Sequence, residues 1–189
     1  MDLRLGLTFP HSYQVEVLDE LPGGLTSERY YYPGASTDGG ADGVLIRVVP
    51  QGRHPWLGTF AFGRVSRTSV TGVYTCPDVN NLCVIAAGAG YIVDTRDPNV
   101  WEEVPREPIM DVRPILERSI LVFSDITQLT AYGPDGISWT TRRVSWDGIT
   151  IIRVDPEELV GSAWDAPLQR QVEFRVDLRN GAVTGPGST

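Results

Sequence analysis

Glycine and proline recur at short intervals along this chain, and they leave few stretches long enough for an α-helix. The 189 residues include 20 glycines and 14 prolines. Segment 101–118 has a helix-like composition, but Pro105, Pro108 and Pro114 interrupt it, because each proline removes a backbone donor and restricts the residue before it. A single helical turn is also predicted at 155–160. We therefore expect less than about a fifth of the chain to be helical, below the usual third.

Short runs rich in valine, isoleucine, threonine and aromatic residues lie between these breaks, as is typical of β-strands. In the last run, Val172, Phe174 and Val176 alternate with charged residues, which indicates an antiparallel strand with one buried face. The strands are predicted at 44–49, 59–63, 72–75, 82–87, 91–94, 120–123, 129–132, 137–146, 150–154 and 172–178. The predicted fold class is all-β with little helix, as a small propeller-like or β-sandwich arrangement of antiparallel sheets.

Four segments share an alternating strand followed by a turn, and three of them then reach a tryptophan. They end at Trp56, Trp101, Trp139 and Thr184, which are 45, 38 and 45 residues apart. A period near forty residues is typical of propeller blades, in which an aromatic side chain fills space between sheets. We therefore expect Trp101 and Trp139 both to be largely buried.

The segment LTAYGPDGISW and, less closely, VEFRVDLRNGAV resemble the quinoprotein-type β-propeller repeat, which has a strand, a DG turn and a tryptophan. The resemblance covers about half the chain. It implies a small propeller of about four units, and none of the quinone-binding residues of that family can be assigned to this chain.

One all-β domain is expected over residues 1–189, because this length supports one core better than two. Small and polar residues predict a flexible loop at 33–43 and a flexible tail at 184–189. No long apolar run or signal-like N-terminus is present, so we expect a soluble cytoplasmic protein. The net charge of −8 disfavours nucleic acids and anionic membranes as partners. All 16 basic residues are arginine.

The two cysteines, Cys76 and Cys83, flank turn residues between two strand-like runs. This pattern predicts a hairpin with two small buried thiols, with a cross-strand disulfide left open, and it matches no zinc-site spacing. Asp38 and Asp42 in TDGGADG offer oxygen ligands, but their spacing matches no calcium motif, so a plain linker is favoured. We expect no metal and no cofactor.

Three successive tyrosines precede this glycine-rich loop. Alternation along a strand places Tyr31 on the face opposite Tyr30 and Tyr32, so at least one ring should be partly exposed. Tyrosine supplies a large contact area at low entropy cost. The predicted binding residues are therefore Tyr30, Tyr31, Tyr32, Asp38 and Asp42, and the predicted partner is another protein.

Two classes of function remain open from the sequence. The first is an acidic binding protein, comparable in composition with bacterial adaptor or immunity proteins. The alternative is a hydrolase that uses carboxylates between Asp94 and Asp111, where a solvated, salt-bridged rim is the simpler interpretation. The chain has no GxSxG, HExxH or phosphate-binding loop, so no catalytic residue is assigned and an enzyme is disfavoured.

Overall fold

The computed structural model describes residues 3–23, 28–34, 42–63 and 69–185. It is nearly all β, with 54% of the described residues in strands and 2% in helix, which confirms the predicted fold class. Most of the predicted loop, including Asp38, and residues 186–189 of the predicted tail lie outside the described residues. The described residues contain no helix that is long and apolar enough to span a membrane.

The chain divides into two compact units, residues 1–108 and 109–189. The strands described in the first unit are β1 (Arg4–Gly6), β2 (Tyr13–Leu18), β3 (Glu28–Tyr32), β4 (Gly43–Pro50), β5 (Trp56–Ala61), β6 (Gly72–Thr75), β7 (Asn81–Ala86), β8 (Ala89–Asp94) and β9 (Trp101–Glu103). They form two sheets, in the orders β1-β6-β7-β8-β9 and β2-β4-β5-β3. Two pairs, β1 with β6 and β3 with β5, are parallel, and the other pairs are antiparallel.

The second unit has two antiparallel sheets, in the orders β10-β11-β12-β13 and β14-β15-β16-β17. The strands are β10 (Asp111–Ile115), β11 (Ile120–Ser124), β12 (Leu129–Gly133), β13 (Gly136–Thr140), β14 (Ile149–Val154), β15 (Glu158–Asp165), β16 (Arg170–Asp177) and β17 (Val183–Thr184), and a single 3-10 turn, Leu116–Arg118, follows β10. Each sheet is a four-stranded meander in chain order, which is the kind of sheet that propellers repeat.

Each unit has its own hydrophobic core between its two sheets. In the first unit, β4 alternates strictly, and its buried residues Val44, Ile46 and Val48 pack with Leu82 and Val84 of the other sheet. In the second unit, Phe174 and Val176 of β16 belong to one core with residues of β11 and β12 in the other sheet, among them Val122 and Leu129. The period-two pattern of these strands therefore determines which face enters the core.

The four predicted repeats correspond to four hairpins, one in each sheet: β4–β5, β8–β9, β12–β13 and β16–β17. Trp56 is buried, and its indole Nε1 donates a hydrogen bond of 2.9 Å to the carbonyl oxygen of Thr95, in the turn that follows β8 of the other sheet of its unit. Trp139 is likewise buried and donates a 2.9 Å bond to the carbonyl oxygen of Leu178. The two units thus connect their sheets by the same contact. The expected burial of Trp139 is confirmed, whereas Trp101 is only half-buried.

The turns that accept these two bonds are also alike. After β8, a carboxylate oxygen of Asp94 accepts the backbone N–H of Arg96 at 2.8 Å. After β16, a carboxylate oxygen of Asp177 accepts the backbone N–H of Arg179 at 2.9 Å. Such Asx turns fix the chain direction locally, and so they hold the acceptor carbonyl between these residues in place.

The predicted helical turn at 155–160 is wrong, because Glu158 begins strand β15. Leu159 is fully buried and pairs with Val176 of β16, so tertiary packing overrides the local helix signal. The predicted strand at 137–146 is also too long and ends at Thr140. The hairpin between the cysteines is confirmed, with Cys76 and Cys83 both free and buried. Burial raises the pKa of both thiols.

Candidate functional site

The tyrosine run forms β3, the last strand of its sheet in the described part of the chain. It runs parallel to β5 in a register that pairs Tyr30 with Gly58 and Tyr32 with Phe60. Tyr32 is 2% exposed, whereas Tyr30 and Tyr31 are half-buried. The three rings therefore have different surroundings, although they are adjacent in the sequence.

Tyr32 belongs to the core of the first unit. Its ring stacks on Phe60 with 4.5 Å between centroids, and its hydroxyl donates a 2.9 Å bond to the carbonyl oxygen of Pro98. Burial raises the pKa of this phenol above its usual value. Tyr32 therefore supports the fold and is not accessible to a partner.

Tyr30 lines a depression of the first unit that is about 1330 Å³ in volume. Its hydroxyl donates a 2.6 Å hydrogen bond to Glu28 Oε2. This hydrogen bond is the main reason why the pKa of Tyr30 is raised to about 12. Carboxylate oxygens of Asp94 and Asp97 at this depression accept backbone N–H groups of their own turn. The polar groups here therefore hold the local structure, and the three lining arginines are balanced by three acids: Arg47, Arg53 and Arg96 against Glu28, Asp94 and Asp97.

Tyr31 lines a smaller depression of about 460 Å³, here called the Tyr31 depression. The strand registers align Leu45, Thr59 and Tyr31 side by side across β4, β5 and β3. Phe62, directly after β5, is 37% exposed. Within the described ranges, the Tyr31 hydroxyl has no hydrogen-bond partner. The lining residues in the described part of the chain are Asp19, Leu21, Tyr31, Asp42, Gly43, Leu45, Thr59 and Phe62.

The structure thus brings two of the five predicted binding residues, Tyr31 and Asp42, to one depression. The sequence did not indicate Asp19, Leu21 or Phe62 as parts of the same surface. A signal for Phe62 was present in the predicted strand 59–63, but the structure ends β5 at Ala61 and thereby leaves this ring at the surface.

The carboxylates between Asp94 and Asp111 do not gather at one place. Asp111 Oδ2 pairs with Arg113 at 2.8 Å in the second unit. Glu103 and Glu107 line a third depression, of about 680 Å³, which shares Phe62 with the Tyr31 depression. In the part of the chain that the structure describes, no three histidine, cysteine, aspartate or glutamate side chains form a group that could hold a metal ion.

No protein-family model matches the chain, and no curated protein matches it either. One solved structure similar to it is the N-terminal domain of Nup159, with 12% identity, a TM-score of 0.43, and coverage of 97% of this chain and 52% of that one. Another is a chain of an S. cerevisiae complex in which a variant Dbp5 is bound to Nup159, a variant Gle1, IP6 and ADP, with 12% identity, a TM-score of 0.44, and coverage of 98% and 51%. This chain spans about half the length of these structures.

Proposed function

We propose that this chain is a binding protein that docks a partner protein through the Tyr31 depression. The observation that carries the proposal is the state of Tyr31, a half-buried ring whose hydroxyl has no partner among the described residues and which shares its depression with the exposed Phe62. Partly exposed aromatic residues with a free polar tip are enriched at the centres of protein interfaces.

The position of Tyr31 on β3 supports a protein partner. Because β3 is the last strand of its sheet in the described part of the chain, it offers backbone groups with which an extended segment of a partner can pair. Leu21 and Leu45 supply an apolar floor, and Asp19 and Asp42 a polar rim, which is the usual anatomy of an interface.

The chain's acidity favours an adaptor or immunity-like role as the specific form of this proposal, in which a small acidic protein occupies a partner's surface. A cytoplasmic location fits the two free, buried thiols, because an oxidising compartment favours disulfides.

The proposal is tested by quantitative affinity capture from the source organism with the parent chain and substituted chains. Tyr31→Ala and Phe62→Ala should each lower recovery of the specific partner about tenfold or more, as expected for interface hot spots. Tyr31→Phe should lower recovery less, by about fivefold, since it removes only the hydrogen bond that the Tyr31 hydroxyl makes with the docked partner.

The matched control is Ile137→Ala, which removes an exposed apolar side chain from β13 in the second unit. This control should capture the partner as well as the parent does. If Tyr31→Ala and Phe62→Ala chains, folded by circular dichroism, still capture every partner at parental levels, the docking surface is wrong.

A further inference from the structure

We propose that the segment docked in the Tyr31 depression is cationic, with an apolar side chain against Tyr31 and Phe62 and a lysine or arginine beside Asp19 and Asp42. This inference rests on the proposed function, because it names the chemistry of the partner for the same site. It is carried by the charges and apolar groups that line the depression.

Among the described residues, the two charged residues that line the Tyr31 depression are both acidic. Asp19 and Asp42 are exposed, and across residues 3–23, 28–34, 42–63 and 69–185 neither takes part in an ion pair. The carbonyl oxygen of Asp42 accepts the backbone N–H of Phe62 at 3.0 Å, which fixes this acid beside the exposed ring. Asp19 directly follows Leu18, which pairs with Leu45 of the depression floor. Two carboxylates that form no ion pair in this part of the chain therefore lie beside aromatic and leucine side chains.

The neighbouring apolar groups determine what kind of cation fits. Tyr31 and Phe62 provide aromatic rings, and Leu45 lies in register with Tyr31 through Thr59. Long basic side chains pack their methylene groups on apolar surface and place the charge at its rim, and cations are attracted to aromatic faces. A lysine or arginine next to an apolar residue satisfies both parts of the depression.

The nearest basic residues along the strands give the docked segment a direction. Arg29 and Arg47 are each two residues from Tyr31 and Leu45, about 7 Å away along the strands. Arg47 Nη1 is 3.7 Å from Glu16 Oε2. The positive end of the segment is therefore drawn towards Asp19 and Asp42 and away from Arg29.

The absence of lysine from the sequence permits a sharp test by carbodiimide coupling, which joins a carboxylate to an amine. Apart from its N-terminus, the chain offers no amine, so couplings to a lysine peptide report on that peptide. The probe is the peptide GSLKLSG, acetylated and amidated at its ends, and the control peptide is GSSKSSG, which has the same charge without the apolar residues.

We expect mass-spectrometric mapping to find GSLKLSG attached mainly at Asp19 or Asp42, several-fold more than GSSKSSG, and this preference should disappear in Tyr31→Ala. Attachment spread evenly over exposed carboxylates such as Asp135 and Asp147, or equal coupling of the two peptides, would overturn the inference.

A second measurement uses fluorescence anisotropy to determine the affinity of the parent chain for fluorescently labelled GSLKLSG, as the reference for the variants. The double variant D19N/D42N should bind about three- to tenfold more weakly, given the small energies of exposed ion pairs. The double variant D135N/D147N changes the net charge equally in the second unit and should bind as the parent does. If Tyr31→Ala loses partner capture while D19N/D42N binds normally, the proposed function stands and the cationic inference is wrong. If GSLKLSG fails to bind at millimolar concentration, the inference is also wrong.

Discussion

Among single residues, two tryptophans contribute most clearly to the contact between the paired sheets of each unit. Trp56 and Trp139 are both buried, and each donates its indole N–H to a carbonyl oxygen in a turn that directly follows a strand of the facing sheet. Gly181, with a φ of +72°, lies against Trp139, where an added Cβ would come within 2.8 Å of the ring. The Trp139 ring therefore packs directly against the backbone of Gly181, where a side chain on residue 181 would collide with it.

The loss of stability on replacing each tryptophan by alanine should increase with the burial of its ring. Trp56→Ala and Trp139→Ala should each lower the free energy of unfolding by roughly 3–5 kcal/mol, since each leaves a large cavity and an unpaired carbonyl. Trp101→Ala should cost less than half as much, because this ring is half-buried and contacts Tyr32 and Tyr91 edge-on or tilted. Urea denaturation measures all three, and an equal loss for the three variants would contradict the assigned packing.

At the scale of the element, central and edge strands should differ in local stability. Every residue of β11 is buried, and β7 is buried except for Asn81; each lies between two partner strands. The strands β9 and β17 are short, end their sheets and are largely exposed. Amide hydrogen exchange should therefore be slowest in β7 and β11 and fastest in β9 and β17, because local opening of an edge strand exposes less buried surface. Similar protection in all four strands would contradict this order.

Strands whose residues show a clear local pattern were predictable from the sequence. Strands whose burial depends on residues distant in the sequence were not. The alternation from Val172 to Val176 is complete in itself and predicts β16. The burial of Leu159, in contrast, depends on neighbours in two other strands, and so the local pattern indicated a helix there. Alternation separates Tyr31 from Tyr32, but the carbonyl oxygen that accepts the hydrogen bond of the buried Tyr32 hydroxyl belongs to Pro98, 66 residues away.

The repeat spacing contains more information than a single period. The intervals of 45, 38 and 45 residues imply a longer period of two repeats, and the structure shows its physical basis in paired sheets. Trp56 and Trp139 are separated by this longer period, and so are their acceptors Thr95 and Leu178. The candidate site could not be predicted from the repeat spacing, because residues from several segments of the first unit meet at the Tyr31 depression without a shared motif.

For the chain as a whole, the expected single domain and the observed division into two compact units lead to different predictions about folding. One domain should fold only as a complete chain, whereas two independent units should each fold alone. Residues 1–108 contain two sheets with a core of their own and every residue that lines the Tyr31 depression. Residues 109–189 contain two further sheets with a separate core that includes Trp139 and Phe174. A chain segment with complete sheets and its own core can fold alone, although short segments are only marginally stable.

We therefore expect residues 1–108, produced alone, to melt cooperatively, to give a β-type circular dichroism spectrum and to bind GSLKLSG within about threefold of the full chain, which is less than the effect of one good hydrogen bond. Residues 109–189 serve as the matched control, because they have the same kind of sheets but lack Tyr31, Asp19 and Asp42, and they should not bind the peptide. If residues 1–108 remain unfolded while the full chain melts in one transition, the expectation of a single domain is correct and the two units depend on each other for stability. If residues 1–108 fold but lose the peptide, the binding surface lies outside the Tyr31 depression, since that depression is complete within them.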